Sequence, residues 1–150
     1  MTLGSHTINE KPMKKTICVI DGQGGGIGST VIRKIKEHFE EKIEILALGT
    51  NAIATAQMLK AGANRGASGV NAIVHTVKKT DFIIGTVGII MPHAMMGELT
   101  VEMAEAVAKS SAKKLLIPLS QENIEIVGLP YTPLPHLVDE LIEAHSGDFI

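Results

Sequence analysis

The residues of this chain best suited to chemistry lie in one glycine-rich stretch, residues 21–28. An apolar run rich in β-branched residues precedes it at 16–20, and an apolar stripe at helical spacing follows it. A strand, a glycine turn and a helix in this order leave the first N–H groups of the helix free to bind an anion. We therefore expect a phosphate-binding turn made of Asp21, Gly22, Gln23, Gly24, Gly25, Gly26, Ile27 and Gly28.

The spacing of the glycines indicates which known phosphate-binding motif the turn resembles. Gly22, Gly26 and Gly28 form a Gly-x-x-x-Gly-x-Gly pattern, which resembles the glycine motif of short-chain dehydrogenases. The phosphate-gripping lysine of a P-loop is missing after Gly28, so a P-loop NTPase is not indicated. The alternative is a tight strand-to-helix turn that needs glycine for its geometry alone.

The carboxylate of Asp21 has two interpretations. A carboxylate beside a phosphate repels it, unless Mg²⁺ bridges the two groups or the N–H groups of the turn occupy the carboxylate. We favour the second interpretation, an Asx-turn in which Asp21 organises the glycines.

Later strand ends add polar residues to the candidate site. Ligands of an open parallel sheet bind outside the carboxyl ends of its strands, so we expect Thr50, Asn51, Thr86 and Gly88 beside the turn as binding residues. His93 is expected on the same side and, oriented by Glu98, is a candidate acid or base near neutral pH. We name His93 and Glu98 as catalytic candidates, with a simple turn at His93 as the alternative.

The sequence departs from nicotinamide-binding proteins at two places. Their second strand commonly ends in an Asp or Glu that binds the ribose hydroxyls, whereas Gly49, Thr50 and Asn51 stand here. Tyr131 has no lysine four residues on, so the catalytic pair of short-chain dehydrogenases is absent. The cofactor is therefore left unknown, with NAD(P) and a mononucleotide both compatible, and the histidines show no metal-ligand spacing.

Apolar runs predict five strands, at residues 16–20, 43–48, 82–85, 115–119 and 124–127, alternating with helices. Only four residues join the last two strands, too few for a parallel crossover, so the last is predicted to be antiparallel. The expected fold is α/β: a Rossmann-like three-layer sandwich of four parallel strands plus one antiparallel edge strand, with helices on both faces. It forms a single domain, 14–150, after a flexible N-terminal extension, 1–13.

Two helices are predicted between the second and third strands, at residues 51–61 and 70–79, and this creates a parity problem. If both ran the full length of the sheet, the chain would reach the wrong end for a parallel third strand. If the first lay across the sheet edge, loop 62–69 would sit beside the glycine turn and Arg65 would reach a phosphate. Otherwise Arg65 is an exposed loop arginine.

Composition restricts the partners. The 150 residues include 14 basic and 16 acidic side chains, a formal net charge of −2, so we expect neither nucleic acid nor membrane as a partner. The longest apolar run, 82–91, is far shorter than the roughly 20 residues of a membrane span. The single cysteine, Cys18, fits a reducing cytoplasm. The apolar, Met-rich residues 85–99 are expected to close over the site or to contact a second copy in a homodimer.

Four motifs in this order resemble an uncharacterised bacterial family that is known only as a domain of unknown function. They are Asp-Gly-Gln-Gly-Gly-Gly-Ile-Gly, Ala-Leu-Gly-Thr-Asn-Ala, Lys-Ala-Gly-Ala-Asn and Gly-Glu-Leu-Thr, and the resemblance covers about residues 14–143. It implies a small cytoplasmic Rossmann-like protein and transfers no activity.

The leading hypothesis from the residues is a protein that binds a nucleotide or another phosphorylated small molecule at the glycine turn. One alternative is an NAD(P)-linked oxidoreductase. The other is a non-catalytic interaction subunit with a purely structural turn. Whether a reaction is catalysed is left open.

Overall fold

The computed structural model describes residues 13–119 and 122–150, and a five-stranded sheet lies at its centre. The strands are all parallel, in the order β3-β2-β1-β4-β5. They are β1 (Thr16–Asp21), β2 (Glu44–Gly49), β3 (Arg65–Ser68), β4 (Phe82–Thr86) and β5 (Lys113–Ile117). The strand order reverses between β1 and β4, since β2 and β3 lie on one side of β1, and β4 and β5 lie on the other. Open α/β sheets bind ligands in the crevice at such a reversal, outside the carboxyl ends of the two strands.

Five helices cover both faces of the sheet. They are α1 (Gly26–Phe39), α2 (Ala52–Lys60), α3 (Val70–Thr76), α4 (Val101–Lys109) and α5 (Leu134–Phe149). On one face, α1, α2 and α5 bury side chains such as Ile32, Met58 and Val138. On the other, α3 and α4 bury Ile73 and Val107. The predicted Rossmann-like α/β architecture with helices on both faces is confirmed.

The predicted antiparallel edge strand at 124–127 is wrong. The described residues of this segment form no strand, and Val127 is 88% exposed. Asn123 and Gly128 have positive φ angles of 54° and 93°, so the chain turns at both ends of the run. Residues of high β propensity form a strand only where a neighbouring strand supplies hydrogen bonds, and these turns keep the run away from the sheet.

Strand β3 lies within residues 62–69, for which the sequence predicts a loop. The four residues of β3 are all exposed and pair in parallel with β2, from Leu46 opposite Arg65 to Gly49 opposite Ser68. The extra strand resolves the parity problem, because α2 and α3 each make one crossover between parallel strands.

Arg65 does not reach the glycine turn. It lies at the amino end of β3, where its Nη2 is 3.2 Å from Oε2 of Glu44, the first residue of β2. The carboxyl ends of the strands, and the turn with them, are at the opposite end of the sheet. Arg65 is exposed, as the second alternative expected, but it belongs to a strand.

Helix α2 begins where predicted, with Oδ1 of Asn51 accepting a hydrogen bond from the N–H of Ala54 at 2.8 Å. Its inward face carries Thr55 and Met58, which are buried, while Ile53 is 68% exposed. The helix lies too close to the sheet for large side chains: a Cβ on Gly66 of β3 would be 2.8 Å from Cγ2 of Thr55.

Residues 1–12 of the predicted N-terminal extension lie outside the described residues. Across 13–119 and 122–150, none of the helices has the length and apolar character needed to cross a membrane.

Candidate functional site

Asp21, the last residue of β1, holds the glycine turn together. Its Oδ1 accepts a hydrogen bond from the N–H of Gly22 at 2.7 Å, and its Oδ2 accepts one from the N–H of Gly28 at 2.7 Å. Burial raises the pKa of Asp21 above its ordinary value, although these hydrogen bonds partly oppose the shift. The carboxylate is thus occupied by the N–H groups of the turn, as the Asx-turn interpretation predicts.

Some glycines of the turn are required by the fold. Gly25 has a φ of +73°, and a Cβ there would lie 2.8 Å from the carbonyl oxygen of Ala54. A Cβ on Gly22 would lie 2.5 Å from Oγ1 of Thr50. The fold favours glycine at both positions, because a side chain there would collide with neighbouring atoms.

Gly24 and Gly26 are different. Neither has a positive φ. Apart from the adjoining residues and the backbone of α1 itself, no atom of the described residues lies within 4 Å of the position that a Cβ would take on either glycine. Both are exposed, and their N–H groups donate no hydrogen bond to an acceptor among the described residues. The fold therefore gives no reason for glycine at these two positions, at the N-terminus of α1.

Glu98 connects the segment after β4 to the glycine turn. Its Oε1 accepts three hydrogen bonds: from the N–H of Gln23 at 2.7 Å, from Oγ1 of Thr50 at 2.7 Å and from Nδ2 of Asn51 at 2.9 Å. Burial alone would raise the pKa of Glu98, but the three hydrogen bonds outweigh burial and lower it below its ordinary value. The side chain is therefore a carboxylate at neutral pH.

A carboxylate is thus present at the end of β2, although residues 49–51 contain none. Glu98 was expected to orient His93 as a catalytic candidate, and its contact with Thr50 and Asn51 was not predicted. No local pattern could have revealed this contact, because 47 residues separate Asn51 from Glu98. Two residues predicted to bind a ligand, Thr50 and Asn51, hold this carboxylate in place.

A cavity of about 280 Å³ opens at the carboxyl ends of β1 and β4. Thr86 and Gly88 contribute to its wall, with Oγ1 of Thr86 accepting a hydrogen bond from the N–H of Gly88 at 3.3 Å. The residues that line it are Asp21, Gly22, Gln23, Ile27, Thr86, Gly88, Ala94, Met95, Leu119 and Glu122. Larger surface pockets lie beside β5 and α5 and between α3 and α4. We assign the site to the smaller cavity, because it lies at the switch point of the sheet.

The segment 91–99 folds over this cavity in a strained conformation. His93, Met95 and Met96 have φ angles of +71°, +59° and +57°, a region that residues other than glycine rarely occupy. The N–H of Met95 donates a hydrogen bond to Oε1 of Glu122 at 2.7 Å. The Met-rich residues were expected either to close over the site or to contact a second copy. In the single chain they close over the site, because Ala94 and Met95 line the cavity.

His93 is exposed on this segment, and its backbone N–H donates a hydrogen bond to the carbonyl oxygen of Leu99 at 2.7 Å. The hydrogen bonds of Glu98 described above go to Gln23, Thr50 and Asn51, so they do not orient the imidazole of His93. A catalytic role for His93 stays a prediction.

The electrostatics of the cavity are acidic. Asp21 and Glu122 line it, and its described lining residues include no lysine, arginine or histidine. Residues 13–119 and 122–150 hold no group of three or more His, Cys, Asp or Glu side chains able to bind a metal ion. An anion at this site would therefore have to bind to backbone N–H groups rather than to a basic side chain.

The fold and the site define an α/β protein with a glycine turn and a cavity at the switch point of its sheet. The family model described as Domain of unknown function (DUF3842) matches residues 16–149. The chain belongs to this family, which agrees with the resemblance seen in its sequence motifs. No curated protein matches the chain.

Two solved structures are similar to it. A dodecameric FMN-dependent Ubix-like decarboxylase from Escherichia coli O157:H7 is 15% identical, with 88% of this chain and 94% of that chain covered and a TM-score of 0.51. A universal stress protein in complex with cAMP is 20% identical, with 71% of this chain and 98% of that chain covered and a TM-score of 0.41. At 15% identity the likeness to the decarboxylase extends to the α/β fold alone, and no conclusion is drawn from the second structure.

Proposed function

We propose that this protein binds a nucleotide or another phosphorylated small molecule, with a phosphate group at the N–H groups of Gly24 and Gly26. The observation that carries the proposal is the open space around these two glycines, which neither backbone conformation nor packing within the chain requires. A residue without a side chain lets a ligand approach the backbone closely. The positive end of the α1 dipole favours an anion at the same place.

The carboxylate of Asp21 limits where the phosphate lies. Because Asp21 already accepts the N–H of Gly28, a phosphate is kept to the outer side of the turn. The group attached to the phosphate then enters the neighbouring cavity. Its volume of about 280 Å³ is just below the roughly 300–1,000 Å³ typical of ligand pockets, which favours a mononucleotide or a smaller group over NAD(P).

A thermal-shift panel of mononucleotides, dinucleotides, nucleotide sugars and sugar phosphates tests the proposal, with and without Mg²⁺. A ligand at 100 times its dissociation constant adds about 2.7 kcal/mol of stability, which raises the unfolding midpoint by roughly 5–11 °C in a chain of this size. The shift should disappear in Gly26→Val, where the side chain fills the space over the turn.

Gly147→Val is the matched control for this panel. Gly147 is also a helical glycine without a protein atom within 4 Å of its Cβ position, but it lies in α5. The control should keep the full ligand-induced shift. If no compound shifts the wild type, the proposal fails and the purely structural turn of the interaction-subunit alternative is favoured.

The proposal includes a homodimer, for which the apolar surface of residues 124–131 is the support. Val127 and Tyr131 are 88% and 86% exposed, and Ile124, Ile126 and Leu129 in the same segment are also exposed. Exposed apolar side chains concentrated in one segment are typical of a protein contact. Light scattering should give twice the chain mass of 15.9 kDa for the wild type and for the control Ile53→Asp, but the monomer mass for Val127→Asp. A monomeric wild type would contradict the dimer.

A cytoplasmic location is the last part of the proposal. Cys18 is fully buried in β1, and burial raises the pKa of its thiol to about 11. The one cysteine of the chain is thus a protonated core side chain, in keeping with a reducing compartment. Fractionation of cells that express the protein tests this location.

A further inference from the structure

The two oxygens of the Glu98 carboxylate differ in the hydrogen bonds that they accept. All three hydrogen bonds to this carboxylate go to Oε1, from Gln23, Thr50 and Asn51. Among the described residues, none donates a hydrogen bond to Oε2. Because donors from the turn, the end of β2 and the start of α2 fix Oε1, the position of Oε2 is fixed too. An ionised oxygen held in place with unused acceptor capacity is suited to bind a hydrogen-bond donor.

A ligand bound at the glycine turn can supply this donor. A phosphate cannot, since it is an acceptor and is repelled by the negative charge of Glu98. A neutral amide or hydroxyl group can, and in phosphorylated metabolites hydroxyl groups on a sugar are the common choice.

The position of Glu98 shows which part of the ligand it would meet. Its carboxylate is hydrogen-bonded to the backbone of Gln23, directly before Gly24, and to both residues that follow β2. In dinucleotide-binding folds a carboxylate at the end of this strand accepts the hydroxyls of the ribose whose phosphate lies on the glycine turn. In this chain that position is occupied by a side chain from the segment after β4.

Building on the proposed function, we infer that the ligand is a ribonucleotide and that Oε2 of Glu98 accepts a hydrogen bond from a ribose hydroxyl. The ribose lies beside Gln23, which donates its N–H to Glu98 and also lines the cavity, and its phosphate extends towards Gly24 and Gly26. Thr50 and Asn51 are positioning residues, since they hold the carboxylate and need not touch the ligand.

Calorimetric titrations with ADP, GDP, CDP and UDP, each beside its 2′-deoxy and 3′-deoxy counterparts, test this inference. One hydrogen bond to a charged acceptor makes binding of the ribonucleotide about tenfold to a hundredfold tighter than that of at least one deoxy counterpart. Glu98→Gln should remove this preference. Its carbonyl oxygen still accepts from Gln23, Thr50 and Asn51, but an amide NH2 group, which cannot accept a hydrogen bond from a hydroxyl, replaces Oε2. Glu44→Gln removes the same charge at the opposite end of the sheet and should keep the preference.

Equal affinity for ribose and deoxyribose forms in the wild type would overturn the inference, as would a preference that survives Glu98→Gln. In either case nucleotides still bind and the proposed function stands. If no nucleotide binds, the inference fails, and titration with inorganic pyrophosphate and sugar phosphates then decides the proposed function separately.

Discussion

Replacing Gly22 by alanine should destabilise the fold, whereas the same replacement at Gly24 should not. The two glycines are two residues apart in one turn, but only Gly22 is enclosed by protein. A Cβ on Gly22 would lie 2.5 Å from Oγ1 of Thr50, 2.6 Å from Sδ of Met95 and 2.9 Å from Oε1 of Glu98. A Cβ on Gly24 meets no described atom within 4 Å.

The expected cost at Gly22 follows from these neighbours. Met95 can move its flexible end away, but Oγ1 of Thr50 is held by a 2.7 Å hydrogen bond to Glu98. Forcing an extra carbon into a filled space costs about 1–3 kcal/mol, and weakening a hydrogen bond to a charged group adds to that, so we expect a loss of roughly 2–4 kcal/mol. At Gly24 the free energy of unfolding should stay within about 0.5 kcal/mol or rise slightly, because alanine reduces the freedom of the unfolded chain.

Urea unfolding at neutral pH, followed by circular dichroism, measures both variants against the wild type. The midpoint of thermal unfolding should fall by roughly 4–16 °C for Gly22→Ala and change little for Gly24→Ala. If Gly22→Ala were as stable as the wild type, or Gly24→Ala as unstable as Gly22→Ala, the division into glycines that the fold requires and glycines that it does not would be refuted.

Three further predictions concern single side chains. Burial raises the pKa of Asp21 in the folded protein, so the contribution of Asp21 to stability is largest below its ordinary pKa of 3.8 and is lost as the pH rises through the raised value. Urea unfolding of the wild type below and above pH 3.8 should show this loss of stability, and Asp21→Asn should not show it. The lowered pKa of Glu98 has the opposite effect: its contribution to the stability of the fold is present above pH 4.5 and is lost as the pH falls through the lowered pKa. Glu98→Ala should therefore cost about 1–3 kcal/mol at neutral pH and less in acid, and an equal cost at both pH values would contradict the assigned hydrogen bonds. Cys18, with its pKa near 11, should resist iodoacetamide in the folded protein and react in urea, as mass spectrometry can show.

The first strand, the glycine turn and the first helix could be predicted from the sequence because each has a strong local signal. The β-branched run, the glycines and the apolar stripe agree with one another, and β1 and α1 are found at residues 16–21 and 26–39. The starts of α2 and α4 also have a local signal, because Asn51 and Thr100 are residue types that favour the N-cap, and their side chains accept hydrogen bonds from the N–H groups of Ala54 and Met103.

The missed strand and the wrongly predicted one have a common cause. Strand β3 has almost no apolar residues and is stabilised by pairing with β2, so its sequence shows no strand pattern. The run 124–127 has the pattern but no partner strand. The parity problem between the second and third predicted strands was the one sequence signal that pointed to β3.

The contact of Glu98 with Thr50, Asn51 and Gln23 could not be predicted, because it depends on how a long segment after β4 folds back across the sheet. The topology brings strand ends together, and Thr50 and Thr86 could be predicted to lie near the turn for that reason. The path of a loop with several left-handed residues follows no such rule.

The central claim is that the N–H groups of Gly24 and Gly26 bind a phosphate. The most direct test is an ¹⁵N–¹H NMR titration of the 15.9 kDa chain with a nucleoside diphosphate identified in the thermal-shift panel. We predict that the amide signals of Gly24 and Gly26 shift most and that both reach saturation at one common ligand concentration. The amide signal of Gly147 in α5 should not move. Saturable binding that leaves the signals of Gly24 and Gly26 unchanged would contradict the account.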